Sequence, residues 1–331
     1  MSKCRILDCT LRDGGYVNNW QFSVQQYWGL AKEMQDTKVE IMELGIMGRH
    51  TEEGFSTKFT DFQAVPKVPD NDMLYTVMYT ASEIEHFQEI PQWEPGMFQG
   101  IRLAFFKDDA QAALKYIEKM RGKGYQFFLQ PMATFLYTDE ELAELIRQAN
   151  MLAPYAFYMV DSFGTMYGED VRRMFALVHR ELAPGIKMGF HAHNNIQLAF
   201  SNVMEFVRLA YENDREAIVD ASVFGMGRGA GNANLELVAG FFNRFYQRDY
   251  CIDRMVELYC DYISEEYQKN DWGYSMQYFV ASQEKANAAY VWYLNRKGVT
   301  DVREIRRILR QIPKEKRHTL DRRGIDEILG A

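Results

Sequence analysis

Between Ile6 and Phe245 the chain alternates short apolar runs with segments of helical spacing, and this alternation limits the fold more than any other feature. The runs fall at 6–11, 39–44, 74–79, 101–106, 125–129, 157–160, 187–190 and 217–223. Runs this short and apolar suit strands covered on both faces, and parallel strands need a crossover between them, usually a helix. Helical spacing follows at 23–34, 82–87, 108–120, 138–152, 170–182, 196–211 and 233–245. Ser23 is placed to cap the first of these, and Thr138 with Glu141 spells a capping box. The exception is 46–72, an irregular stretch with Gly48, Gly54, Pro66 and Pro69 that reads as an insertion over a site. Eight strands in this order predict an α/β fold, a closed (β/α)8 barrel. An open doubly wound sheet is the alternative, but its first turn normally carries spaced glycines; here that turn is Arg12-Asp13-Gly14-Gly15.

Beyond residue 248 the alternation stops, which divides the chain into a barrel domain (1–248) and a small all-helical C-terminal domain (249–331). Segments 255–267 and 283–294 are amphipathic, and Val302, Ile305, Leu309 and Ile312 form one apolar stripe. The stripe sits beside Arg303, Arg306, Arg307 and Arg310, whose spacing suits the wet face of a packed helix; 314–323 reads as a charged surface segment. The helical part is expected as a lid over the barrel. Thirty-eight basic against forty-six acidic residues give a net charge of -8, which argues against a nucleic-acid surface. No apolar run approaches the roughly eighteen residues that cross a bilayer. The N-terminal MSKCRILDCTLRDGG has no signal-peptide stretch, and the four cysteines form no CxxC pair, so a cytoplasmic protein with reduced thiols is expected.

In such a barrel, polar residues at strand C-termini gather on one rim. Asp13, Glu43, Arg102, Gln130, Asp161, His191 and Asp220 are the candidates, with Arg102 and Asp220 set inside their runs. In MGFHAHNN, residues 188–195, the two-residue spacing puts His191 and His193 on one face and Phe190 and Ala192 on the other. With Asp13 they make one carboxylate and two imidazoles, a set that holds a divalent cation and leaves positions open for water or substrate. The plainer readings are polar residues at a strand end and an acid capping its own turn. Arg12 meets either an anion, such as a substrate carboxylate or an enolate, or a rim acid such as Glu43. The glycine-rich GMGRGAGNANLE, residues 225–236, is a tight turn into a helix capped by Asn232, or a place where backbone approaches a ligand.

Three segments in this order, DCTLRDG (8–14), HAHN (191–194) and 225–236, resemble the metal-dependent pyruvate aldolase and hydroxymethylglutaryl-CoA lyase (HMGL-like) superfamily of TIM barrels. Within it the chain is most similar to the 4-hydroxy-2-oxovalerate aldolases, over roughly residues 4–248 and in its helical tail. The resemblance implies Mn or Mg held by Asp13, His191 and His193, with Asn232 as a further ligand used in the lyase branch. It implies that Arg12 steadies an enolate and that Ser162, in VDSFG, holds a keto-acid carboxylate. Glu43 joins the substrate-facing rim, and Thr10, on the side of Asp8 and Arg12 by strand parity, buttresses it. One position departs: the aldolases carry a catalytic histidine two residues after the RDG glycine, and this chain has Tyr16. A phenol, of ordinary pKa about 10, is a poor base at neutral pH but can donate a proton.

The implied activity is a class II aldolase that cleaves or forms a 4-hydroxy-2-keto acid from pyruvate and an aldehyde. Its implied partners are a second copy of the chain and, in some relatives, an aldehyde dehydrogenase. Two alternatives stand beside it: an acyl-CoA lyase or synthase of the same superfamily, discriminated by competition with CoA, and a non-catalytic barrel acting as a binding module.

Overall fold

The computed structural model describes residues 3–51, 54–87, 89–270 and 272–330. Its strands are all parallel: β1 (Cys4–Asp8), β2 (Ile41–Met47), β3 (Lys58–Phe59), β4 (Leu74–Thr80), β5 (Gly100–Phe105), β6 (Gln126–Pro131), β7 (Ala156–Asp161), β8 (Lys187–Ala192) and β9 (Ala217–Ala221). β1 pairs with β9 (Leu7 opposite Asp220) and with β2 (Leu7 opposite Ile41), so the sheet closes on itself as a TIM barrel. β3 is a two-residue addition outside β2, within the irregular 46–72 stretch; residues 52 and 53 of that stretch lie outside the described residues. Helices cover the outside, and the two capping motifs form: Ser23 with Gln26, and Thr138 with Glu141.

Alternation along the strands sorts the barrel interior into layers. One layer is apolar and includes Leu7, Ile41, Phe128, Ala156 and Ile218. Two residues further along their strands stand Glu43, Tyr158 and Asp220, all buried, and Arg102 of β5 reaches across to Glu43 and Asp220. Gly189 makes room for this layer, since a Cβ there would lie 2.2 Å from the Tyr158 ring. The opposite parity faces the helices: Phe190, for example, stacks on Phe206 at 5.2 Å.

Beyond residue 248 the helices pack in two groups. Met255, Leu258 and Ile263 join the barrel's own core. Helices Met276–Gln283, Ala289–Arg296, Val302–Gln311 and Arg322–Leu329 form a second core around Tyr290, Leu294, Ile305, Leu309 and Ile325. This second group is tied to the C-terminal rim, where the Ser282 hydroxyl lies 3.0 and 2.9 Å from the Phe163 and Gly164 carbonyls that accept from it.

Three local expectations are corrected. The first strand stops at Asp8, and Thr10–Asp13 is a helical turn in which the Asp13 N–H bonds the Cys9 carbonyl at 2.8 Å. Strand parity therefore does not relate Thr10 to Arg12; instead the Thr10 hydroxyl donates back to Asp8 at 2.6 Å. The helix expected over 283–294 is broken, because Asn287 takes up the Ala289 N–H and the His318 carbonyl through its side chain. The 314–323 segment is not wholly surface: Arg317 is buried and donates to the carbonyls of Ile312, Glu284 and Arg310.

Candidate metal centre

The helical turn after β1 carries Asp13 over the mouth of the barrel, where β8 delivers His191 and His193. Asp13 Oδ2 is 3.6 Å from His191 Nε2 and 3.8 Å from His193 Nε2. Two ligands each about 2.2 Å from one ion lie at most roughly 4.4 Å apart, so both separations suit a shared cation. Each histidine is oriented through its other nitrogen. His191 Nδ1 is 2.9 Å from Asp220 Oδ2, and His193 Nδ1 is 3.3 Å from the Gly231 carbonyl. These acceptors place the proton on Nδ1 and turn both Nε2 lone pairs toward Asp13.

Both Asp13 carboxylate oxygens are buried without a hydrogen-bond donor among the described residues, although Arg12 Nη1 approaches Oδ1 to 3.0 Å. Asn232 Oδ1 is likewise buried and unpartnered, because the amide nitrogen is turned to the Met226 carbonyl at 3.1 Å. Buried oxygens left without donors are costly, and here they belong to the same small set as two free imidazole nitrogens. Gly227 keeps the space open: a Cβ there would lie 2.3 Å from Asn232 Nδ2 and 3.3 Å from Asp13 Oδ2. The Asp13, His191 and His193 cluster can hold a divalent metal.

The electrostatics agree. Burial opposes ionisation of Asp13, but Arg12, His193, His191 and Arg228 outweigh it and hold the carboxyl well below the usual range. Burial, aided by the neighbouring cations, lowers His193 to about 3 despite Asp13, so it stands neutral with its lone pair available. Asp220 is also held ionised, with Arg102 and His191 overcoming its burial.

The remaining predicted residues are placed as follows. Arg12 donates through Nε to Glu43 Oε2 at 2.7 Å, and Glu43 also accepts from Arg102 Nη1 at 2.6 Å, so the rim-acid reading of Arg12 is realised beside Asp13. Thr10 joins β1 to the β9 end, since its hydroxyl accepts from the Val223 N–H at 2.9 Å. Ser162 follows β7 and accepts from the Ala133 N–H at 2.8 Å; its own hydroxyl hydrogen has no acceptor among the described residues. Tyr16 stands apart from the ligands in a cavity of about 310 Å³ that also includes Trp20, Gly227, Trp272 and Trp292. Its ring meets Trp20 at 4.6 Å and the Arg228 guanidinium at 4.9 Å.

Three participants lay outside the predicted site residues. Asp220 and Arg102 were seen only as rim candidates, although a charged residue inside an apolar strand run was the available signal for a barrel-interior ion pair. Arg228 carried no such signal, because only the fold lays the glycine loop over Tyr16.

A closed parallel barrel with a buried Asp–His–His cluster at the C-terminal mouth defines a TIM-barrel protein with a site able to hold a metal. Residues 100–249 match the HMGL-like family. It is 26% identical over 259 residues to the oxaloacetate decarboxylase of Mycobacterium tuberculosis, covering 76% of this chain and 74% of that protein. It is 29% identical over 248 residues to the 4-hydroxy-2-oxovalerate aldolase of Thermus thermophilus, covering 72% and 68%. The fold matches the N-terminal domain of a candidate aldolase from Bacteroides vulgatus (TM-score 0.72, 21% identity, 88% of this chain and 96% of that one). It also matches the HMG-CoA lyase of Brucella melitensis (TM-score 0.58, 16% identity, 77% and 95%).

Proposed function

We propose that the chain is a divalent-metal-dependent, class II aldolase that interconverts a 4-hydroxy-2-keto acid with pyruvate and an aldehyde. The observation that carries this reading is the position of Arg12, bridged to Glu43 and lying 3.0 Å from an Asp13 that shares a cluster with two oriented histidines. Asp13, His191 and His193 would hold the cation, with Asn232 as a further ligand and Mn or Mg as the ion. When bound, such a cation supplies Lewis acidity toward the carboxylate and keto oxygens of a 2-keto acid.

The protein's own groups do the rest. Arg12 compensates negative charge growing on the keto oxygen, and Glu43 holds its Nε so that the guanidinium stays aimed at the site. Ser162 offers its free hydroxyl hydrogen to the keto-acid carboxylate. Thr10 braces the turn that presents Arg12 and Asp13. Cleavage requires a proton to leave the 4-hydroxyl, and Tyr16, in the cavity that adjoins Gly227, is placed to hold or relay it. A homodimer and an aldehyde-accepting dehydrogenase belong to the same proposal; light scattering and co-purification test them.

Tyr16 also favours a second reading. β-Decarboxylation of a 2-keto diacid uses the same electrophile but needs no base at a 4-hydroxyl, so a phenol there is no handicap. Release of CO2 from oxaloacetate would identify it.

The test is metal-dependent pyruvate release across a panel of 4-hydroxy-2-keto acids, with exchange of pyruvate methyl protons in deuterated water as a separate reading of the enolate half. Y16F should lower kcat by about 10²- to 10⁴-fold with a much smaller change in KM. Wild type that shows neither release nor exchange with Mn present overturns the aldolase reading; Y16F with full kcat removes Tyr16 from the proton path.

A further inference from the structure

Beside the metal centre lies a cavity of about 310 Å³, closed on one side by the Tyr16 to Trp20 turn and the glycine loop, and on the other by the C-terminal helices. Its size is at the small end of ligand sites, which run from about 300 to 1,000 Å³. Gly227 is shared ground: it lines the cavity and also abuts Asp13 and Asn232. The cavity and the Asp–His–His cluster are therefore neighbours across one residue.

Among the described residues the lining is aromatic and contains two arginines, Arg228 and Arg322, and no acidic side chain. Arg228 is half-buried, lies over the Tyr16 ring at 4.9 Å, and has no carboxylate partner among the described residues. Arg322 lies over the Tyr293 ring at 5.8 Å and is likewise without one. Elsewhere in the tail Arg306 and Arg310 pair with Glu284, Arg307 with Glu304, and Arg323 with Glu327. Guanidiniums that lie over aromatic faces and form no ion pair among the described residues are side chains that bind carboxylate or phosphate.

We propose that the aldehyde half of the substrate carries a second anionic group, a carboxylate or a phosphate ester, held by Arg228 and Arg322 between the aromatic walls. The proposal rests on the aldolase reading for its chemistry, but anion binding in the cavity stands on its own. The tail thus determines which aldehyde is accepted, because Arg322 and Trp292 come from it and Arg228 from the barrel.

The test pairs aldehydes of matched length in Mn-dependent condensation with pyruvate: succinic semialdehyde for the carboxylate, glyceraldehyde 3-phosphate for the phosphate, and butanal as the neutral member. Wild type should favour one anionic aldehyde over butanal by at least about tenfold in kcat/KM, as expected for a charge-assisted contact. R228Q and R322Q should bring that ratio to within about threefold of unity. Arg322 is exposed, so R322Q keeps the test open even if R228Q fails to fold. Independently of turnover, tryptophan fluorescence of metal-free protein should saturate with succinate or inorganic phosphate, and at least about fivefold more weakly in R322Q; butyramide should give no change. Equal use of charged and neutral aldehydes by an enzyme that still exchanges pyruvate protons overturns the inference and leaves the aldolase reading intact. Loss of exchange together with a normal succinate or phosphate titration overturns the aldolase reading and supports the anion site.

Discussion

Asp220 holds His191 by Nδ1 and is held in turn by Arg102 and by the Tyr158 hydroxyl at 3.1 Å, so one carboxylate links a metal-site imidazole to the ion pairs of the barrel interior. D220N should weaken Mn binding by about 10- to 100-fold, the usual effect of removing a carboxylate behind a ligating histidine. It should also destabilise the fold by about 3–5 kcal/mol, because Arg102 loses one of its buried partners. Mn titration by calorimetry and urea unfolding check the two effects, and unchanged Mn affinity would show that Asp220 does not orient His191. Asp8 provides a pH test. Burial, with Glu43 and Asp220 nearby, outweighs the bonds from Thr10 and pushes its carboxyl up from 3.8 to about 7. The folded state binds that proton more tightly than the unfolded chain, so ionising Asp8 works against the fold. Its contribution to wild-type stability declines as pH rises from about 4 through 7. D8N cannot ionise, and its urea midpoint relative to wild type should therefore rise between pH 5 and pH 8; a flat or falling difference refutes the shift.

The element that most depends on its residue types is the loop at 225–236. Gly231 has a left-handed φ of +85°, and a Cβ there would lie 2.1 Å from the Gly225 carbonyl oxygen, a backbone atom that cannot swing away. G231A should destabilise the protein by more than 1 kcal/mol, roughly, and disturb Mn binding, since the Gly231 carbonyl accepts from His193. Gly240 is the control. It lies inside helix Leu235–Tyr246 with nothing near a built Cβ, so G240A should stabilise by about 0.5–1 kcal/mol. Thermal unfolding of the two variants should move in opposite directions. The Ser23 cap and the Thr138–Glu141 capping box were legible in advance because both satisfy helix N-termini by local bonds alone; that Gln26 returns the bond to Ser23 came from the structure. The break at 284–288 was not, because the groups that replace helical bonds there come from His318 and Arg317, some thirty residues on.

Across the whole molecule, the mouth and interior of the barrel bring the buried carboxylates Asp13, Glu43, Asp161 and Asp220 against the buried guanidiniums Arg12 and Arg102, with Arg228 half-buried near Asp13 and Asp8 partly ionised near neutrality. Negative charge is left in excess in a buried region, which is the condition a divalent cation relieves. Mn at a hundred times its dissociation constant should therefore stabilise the fold by about 2.7 kcal/mol, by mass action on the native state. Differential scanning calorimetry should show a higher Tm with Mn, reversed by EDTA and absent in H191A. An equal rise in H191A would place the stabilising ion elsewhere.

Periodicity and turn chemistry are local properties, so the sequence by itself determined the strand and helix order, the barrel class and the same-face pairing of His191 with His193. DCTLRDG also marked Asp13 and Arg12 as candidate site residues, although not the helical turn that carries them, because Thr10 anchors that turn both to Asp8 and to the Val223 N–H, 213 residues on in the chain. Only the tertiary structure decided that Asp220 supports His191, that Arg102 crosses the barrel to it, and that Arg228 meets Tyr16 beneath the helical tail. The reason is separation along the chain. Arg102 and Asp220 are 118 residues apart, and closure of β1 onto β9 and β2 brings them together in a space where their charges must pair.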